Sequence, residues 1–518
     1  MGLSCGDDEE ERNFAHGTGG SSASGGFGGT SGTAGVAGTA GDAGPEDVSV
    51  EDVSSDVVDD DPSSDISPDI ADTGPPSCPV TFKYKPGGPA TKIVVAGEWQ
   101  GFDLATAPVM SPDGTGSYQV TVNLEPGLYA YKVVVDGDWR LDASQPRRKY
   151  VGTPLVENSA IKVADCRMPS WRVETSEVTR PSAGEGTYQA VLRFVDGIEG
   201  TGPDIKGYSF ALQHNGTDKP VSLTPDNSGD VVVSLTGLQD GKYRLLATPR
   251  AGNGREGTPL RLVFWVEREP FSWKDALIYM VLTDRYRDGD ASNNPGATQG
   301  ADSRGDWQGG DLQGVRDSIV DGTLDALGVR AIWLTPFQTN PAGAFSASDG
   351  VHKVTGYHGY WPVKARQVDP RIGGETALRE LVREAHAHGI RILQDFVLNH
   401  VHQEHEYVAS HPTWFRTGCV CGTNNCDWTA HALDCMFASY MPDIDHRVPE
   451  ANAAFVSDAV WWLDEFDLDG LRVDAVKHVE ESATRNLAAE VRETFEAAGT
   501  RYFLMGETAM GWNECADP

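Results

Sequence analysis

Arg472 and Asp474 stand two apart in the run GLRVDAVKH. On a strand, both side chains leave the same face, so the guanidinium lies beside the carboxyl and favours its ionised, nucleophilic form. Glu507 ends the next apolar run, RYFLMGE, and the polar clusters TDRY, TP and DFVLNH end the runs before it. HVHQEHEYVASH, which overlaps DFVLNH at His400, raises the question of zinc. The H-E-x-x-H order of a helical zinc site is absent, so His402, His405 and His411 read as loop residues. Four of the eight cysteines, Cys419, Cys421, Cys426 and Cys435, crowd into the spacing C-x-C-x4-C-x8-C. That spacing lacks the paired C-x2-C knuckles of a zinc site. In an exported chain the expectation is two disulfides, with zinc as the alternative.

These residues need a scaffold that gathers the ends of distant runs. After Pro270, apolar runs alternate with helical periodicity: ALIYMVL, a helix near 312–327, VRAIWLTP, a helix over 375–388, IRILQDFVL, a helix over 450–466, LDGLRVDAV, a helix over 480–497, and RYFLMGE. Such alternation predicts a parallel sheet with right-handed crossovers. Polar residues at the carboxyl ends of successive parallel strands are where a (β/α)8 TIM barrel does its chemistry. Residues 269–518 are therefore read as a catalytic barrel, incomplete, with a loop domain inserted at about 401–448.

Ahead of the barrel the pattern is all-β. KIVVAGEW, SYQVTVNL and YAYKVVVDG alternate with the turn signals PDGTG, EPG and DGD, which predicts a β-sandwich over 78–166, bracketed by Cys78 and Cys166. YQAVLRFV, YSFALQ, DVVVSL, KYRLLATP and LRLVFWVE predict a second immunoglobulin-like sandwich over 167–268, without a binding motif and acting as a spacer against the barrel. Residues 1–77 hold seventeen acidic side chains and one basic one, Arg12. This Gly/Ser-rich and then acidic stretch cannot bury a core and reads as a flexible linker. A net charge of −34 argues against nucleic acid and anionic membranes as partners and leaves neutral polymers open. No run of eighteen apolar residues predicts a membrane span. Cys5, in GLSCGDDEE, precedes the tether as the lipid-modified cysteine of a bacterial surface lipoprotein would, so the expected location is extracellular or cell-surface. Met1 to Ser4 are too short for the apolar part of an export signal.

Taken in order, four strand-end motifs resemble those of the α-amylase family, glycoside hydrolase family 13: DFVLNH at 395–400, MPDID at 441–445, GLRVDAVKH at 470–478 and FLMGE at 503–507. The stretch GEWQGF…SYQVTVNLEPGLYAYKVVVDGDWRLDASQP resembles the glycogen- and starch-binding module that precedes catalytic domains in branching and debranching enzymes. The family resemblance implies a retaining double displacement on α-1,4-glucosidic bonds, with carboxyls roughly 5–5.5 Å apart. Asp474 would be the nucleophile, Glu507 the proton donor and later the base, and Arg472 their companion. It implies that His358 and His400 hydrogen-bond the sugar at the scissile bond, that Tyr360 stacks beneath it, and that Lys477 and His478 bind glucose units on the leaving side. In the binding module Trp99 and Trp139 are the expected sugar platforms, Trp139 being the better candidate, since an aromatic face stacks on sugar C–H groups. A core role for either is the alternative, and Lys132 could add a hydroxyl contact.

The same resemblance implies Ca2+, a hard cation bound by carboxylate and carbonyl oxygens. One expected site joins barrel to inserted loop through Asn399, Asp443 and the main-chain oxygen of His478. A second, DGDASNN at 288–294 with GGD at 309–311, resembles the calcium loop of cyclodextrin-forming transferases, with Asp288, Asp290, Asn293, Asn294, Gly309 and Asp311 as ligands. A plain turn is its other reading. The expected function is hydrolysis of starch- or glycogen-like α-glucan. A transglycosylase or debranching enzyme of the family is the near alternative, and a surface starch-binding lipoprotein with a decayed catalytic part is the distant one. About five of the eight barrel strands are legible before Pro518, and the family's third catalytic carboxylate has no counterpart. The chain as written is therefore expected to be a fragment, an interrupted gene or half of a split protein.

Overall fold

A computed structural model describes residues 76–423 and 425–508; the acidic stretch before them, with Cys5, lies outside the described residues. Five parallel strands form one sheet in chain order: β1 (Leu277–Val281), β2 (Val329–Leu334), β3 (Arg391–Val397), β4 (Gly470–Asp474) and β5 (Phe503–Gly506). The helices α1 (Leu312–Val320), α2 (Gly374–Ala387), α3 (Pro449–Glu465) and α4 (Glu481–Phe495) connect them. β3 is buried at every position, as expected of a parallel strand covered on both faces. Leu378, Leu381, Val382 and Ala385 make the apolar stripe of α2 and share one core with Ile392, Phe396 and Trp462. The helix expected over 312–327 ends at Val320, because Gly322 turns left-handed at φ 79° before a single turn, Thr323–Ala326.

The segment between β3 and α3 carries little regular structure. Its ends meet where Phe415–Arg416 pairs antiparallel with Asp443–Ile444. Between them the four crowded cysteines pair as disulfides, Cys419–Cys426 and Cys421–Cys435. The zinc alternative is not what the structure shows. His402, His405 and His411 belong to no metal-holding cluster among the described residues. His402 and His405 are buried, and their Nδ1 atoms accept from the backbone N–H groups of Glu404 and Tyr407.

Residues 78–163 form two facing sheets. One holds Cys78–Tyr84, Ser111–Pro112 and Tyr118–Leu124; the other holds Ile93–Gly97, Gly127–Val135, Arg147–Val151 and Val156–Val163. Phe82 and Leu124 meet Val95, Tyr131 and Val133 between them, and Cys78–Cys166 closes the unit. Residues 170–266 repeat the plan with a three-stranded and a four-stranded sheet around Tyr188, Leu192, Val233, Leu245 and Phe264.

Both β units are docked on the α/β unit. The edge strand Arg147–Val151 lies along α4: Arg148 N donates to Asn486 Oδ1 at 2.8 Å, and Arg147 pairs with Glu490 at 2.6 Å. From the second unit, Lys242 is fully buried and pairs with Asp467 and Asp469 just ahead of β4, at 3.1 and 2.9 Å. An unpaired ammonium there would be costly, so the two carboxylates hold this interface in register.

Candidate active site

Asp474 is the last residue of β4 and Glu507 directly follows β5. In the parallel register Asp395 lies opposite Arg472, and Val473 opposite Gly506. Arg472 Nη1 donates to Asp395 Oδ1 and Asp474 Oδ1, both at 2.7 Å, and Nη2 pairs with Glu507 Oε2 at 2.9 Å. One buried guanidinium thus collects carboxylates from three neighbouring strands, the fork geometry that Arg supplies and Lys cannot. Asp474 is nearly covered, whereas the Glu507 side chain is 43% exposed.

Burial, reinforced by the charge of Asp395, pushes the Asp474 carboxyl up to about 7, against the pull of Arg472. The guanidinium is in place, but desolvation in this strand-end pocket outweighs it.

Asp395 is the member of this group that sequence reading passed over, although it opens DFVLNH. Its Oδ2 accepts from Tyr360 Oη at 2.7 Å and Trp333 Nε1 at 3.0 Å. The available signal was a carboxyl in the middle of an apolar strand, which must be partnered to be buried there. Tyr360 is thereby held over the site, and its backbone N–H donates to His358 Nδ1 at 3.0 Å. The ring N–H at His400 Nε2 donates to Tyr360 O at 3.1 Å. Burial, chiefly, lowers His358 and His400 to about 4, so both are neutral near pH 7. The structure thus brings Asp474, Glu507, Arg472, His358, Tyr360 and His400 together.

Lys477 and His478 follow β4 in the turn Val476–His478, which Ala475 enters at φ 50°. His478 Nδ1–H donates to Ala432 O at 2.8 Å, and its ring lies 4.9 Å from Phe437 and 5.8 Å from Trp428. Trp428, 45% exposed, belongs to the disulfide-stapled loop and was not singled out from sequence. An exposed aromatic between two disulfide-bonded cysteines was its only signal.

The binding module separates its two tryptophans. Trp139 is 44% exposed, pairs with Val134, and lies 6.4 Å from the ring of Phe102. Phe102, the aromatic that sequence reading missed, packs on Val134 at the outer face of that sheet. Lys132, two residues before Val134, shares that face. Trp99 instead packs on the core with Phe82 at 5.3 Å, and a Cβ at Gly97 would meet its ring at 2.2 Å. Trp99 is half-buried against the core, the alternative role left open for it, and after the short turn Glu98–Gln100 and left-handed Gly101 Phe102 lies on the other face of the sheet. Trp139→Ala should weaken glycogen retention in affinity electrophoresis about tenfold or more, in line with lost stacking of order 1 kcal/mol or above, without moving the melting temperature. Trp99→Ala should do the reverse and cost about 3 kcal/mol of stability.

The two expected calcium sites fare differently. In the 288–311 loop the Oδ1 atoms of Asn293 and Asn294 are buried without a partner, which suits an oxygen-seeking cation. Asp288, Asp290 and Asp311 accept from Asn294, Ser292 and Asn293 side chains and from backbone N–H groups. Gly309 sits at φ 89°, where a Cβ would strike the Asn294 amide at 2.7 Å. This donor set fits calcium. At the junction site Asn399 Oδ1 is also unpaired, but Asp443 is already engaged by Arg416 at 2.7 Å. The ligand set expected there does not fit a metal.

Comparison with known proteins follows this geometry. Residues 280–416 match the family model of the alpha amylase catalytic domain, and residues 78–163 that of the glycogen recognition site of AMP-activated protein kinase. A cyclomaltodextrin glucanotransferase of Paenibacillus macerans is 32% identical over 222 residues, covering 39% of this chain and 31% of that protein. An alpha-amylase of Niallia circulans is 29% identical over 258 residues, covering 46% of this chain and 47% of that protein. The solved alpha-amylase of Geobacillus thermoleovorans in complex with acarbose aligns at 30% identity and a TM-score of 0.38, covering 46% of this chain and 48% of that one. The chain spans about a third of the length of the curated glucanotransferases it matches. The first match ends at residue 416, ahead of β4 and β5, yet the strand-end residues on both sides of that limit converge on one guanidinium. Residues 280–416 belong to a catalytic domain of the α-amylase family, whose members include glycoside hydrolases and transglycosylases, and residues 78–163 to a glycogen-recognition module.

Proposed function

We propose that this protein cleaves α-1,4-glucosidic bonds in starch- or glycogen-like polysaccharide by a retaining double displacement. The observation that carries the reading is the Arg472 guanidinium shared by Asp474 and Glu507, an arrangement compatible with carboxyls roughly 5–5.5 Å apart. Tyr360 offers a ring face for the sugar, and neutral His358 and His400 offer uncharged hydrogen-bonding groups beside it. Asp474 attacks the anomeric carbon while the glycosidic C–O bond breaks and Glu507 passes its proton to the leaving oxygen. Glu507 then takes a proton from water, whose oxygen displaces Asp474, and the two inversions restore the starting configuration. A sugar hydroxyl in place of that water would give transglycosylation. Trp428 beside His478 favours a substrate that extends well into the leaving side.

Calcium bound by the 288–311 loop would supply a fixed positive charge that ties residues 288–294 to the start of α1. The polymer would be held by Trp139 and Phe102 on the recognition module. Three disulfides among the described residues support an oxidising, extracellular or cell-surface location.

The test is product analysis on soluble starch across pH. Linear maltooligosaccharides that appear in the α configuration support hydrolysis with retention; cyclic products would move the reading to a glucanotransferase, and β products would end it. Asp474 must be ionised to attack and keeps its proton up to about 7. The value of kcat/KM should therefore fall about tenfold per unit below pH 7. A profile flat down to pH 5 would contradict this assignment.

A further inference from the structure

Arg416 holds Asp443, one of the ligands that the family resemblance calls for at the junction metal site. Its short strand pairs it directly with Asp443, and only 11% of its side chain is exposed. Nη1 donates to Asp443 Oδ2 at 2.7 Å and to Leu433 O; Nη2 donates to Asp445 Oδ1 at 2.6 Å and to Glu480. Asp443 and Glu480 are buried almost completely. Arg447 adds two contacts of 2.8 Å to Asp445. Three stretches of chain therefore converge on the guanidinium of Arg416: the disulfide-stapled middle of the inserted loop at Leu433, the return strand at Asp443 and Asp445, and Glu480 beyond β4. Of the ligands expected for a bridging cation at this junction, Asp443 is the one that the guanidinium holds. The guanidinium does so with a charge that cannot dissociate and with a planar fork suited to several carboxylates.

We infer that the junction between the inserted loop and the α/β unit is held by the Arg416 guanidinium in place of a divalent cation, and that calcium binding is confined to the 288–311 loop. A cation ligated by Asp443 would sit within a few ångströms of this guanidinium, and both groups are buried, where repulsion between like charges is weakly screened. Asn399 Oδ1 remains unpaired, but one neutral oxygen does not make a site for an ion that takes six to eight. The 288–311 loop differs on each count, since two amide oxygens are open there and its carboxylates accept from neutral donors.

The experiment is metal content by mass spectrometry, with thermal unfolding in EDTA and in millimolar calcium, on the full chain. Activity is not the readout, so the result stands whatever reaction the enzyme performs. In an Asp288→Asn, Asp290→Asn double variant with Arg416 intact, calcium should be absent and the melting temperature should be the same in both buffers. One calcium per chain retained in that variant, and lost on adding Asp443→Asn, would overturn the inference. Arg416→Met in the same background should melt lower and recover part of the loss in calcium, because the vacated carboxylates then accept the ion. If that triple variant does not fold, the metal count of the double variant decides alone.

Discussion

Asp474→Asn should lower turnover of soluble starch by about 10^4-fold or more while leaving glycogen retention unchanged. The amide is isosteric and keeps an oxygen for Arg472 Nη1, now at 2.7 Å from the carboxylate, but it cannot form the glycosyl ester on which the double displacement depends. The same change should stabilise the fold. The unfolded Asp474 carboxyl binds its proton only below about 4, whereas the folded one keeps it up to about 7. Between those values the native state binds more protons, so this group's contribution becomes less favourable as pH rises. At pH 8 the neutral amide should therefore raise the melting temperature, by about 2–4 °C for each kcal/mol recovered. Starch turnover within tenfold of wild type would remove Asp474 from the nucleophile's role. A lower melting temperature at pH 8 would show that the guanidinium, not burial, dominates its environment.

Arg472→Lys should reduce kcat by about 10^2–10^3-fold, the range seen when one positioned donor is lost from an active site. A single ammonium cannot reproduce two nitrogens that hold Asp395 and Asp474 on one side and Glu507 on the other. The readout that separates this from simple unfolding is the pH profile. Arg472 opposes burial at Asp474, so a weaker cation contact should move the acid limb of kcat/KM upward from pH 7. A loss of rate with the limb unmoved would mean that Arg472 only supports the fold.

Much of this molecule was legible from its residues. The alternation of apolar runs and helical stripes located all five parallel strands, because parallel strands covered on both faces need uninterrupted apolar side chains. The polar residues at the ends of these runs pointed to Arg472, Asp474 and Glu507, while Tyr360 and His400 were named from the family resemblance, and the structure places all five close together. Asp395 was readable on the same logic and was missed because it lies inside its strand rather than after it.

Three matters were decided only in three dimensions. Trp99 and Phe102 stand three residues apart in one turn, and which aromatic faces the core depends on Gly101 turning left-handed, a backbone choice that leaves little trace in residue type. The ionisation of Asp474 depends on how deeply neighbouring strands bury it, and sequence shows the attractive partner two residues away but not the desolvation. Arg416 and Asp443 lie 27 residues apart, across a loop closed by two disulfides. Local pattern establishes which side chains share a strand. Only the closure of that loop places a guanidinium on the carboxylate that a metal would otherwise take.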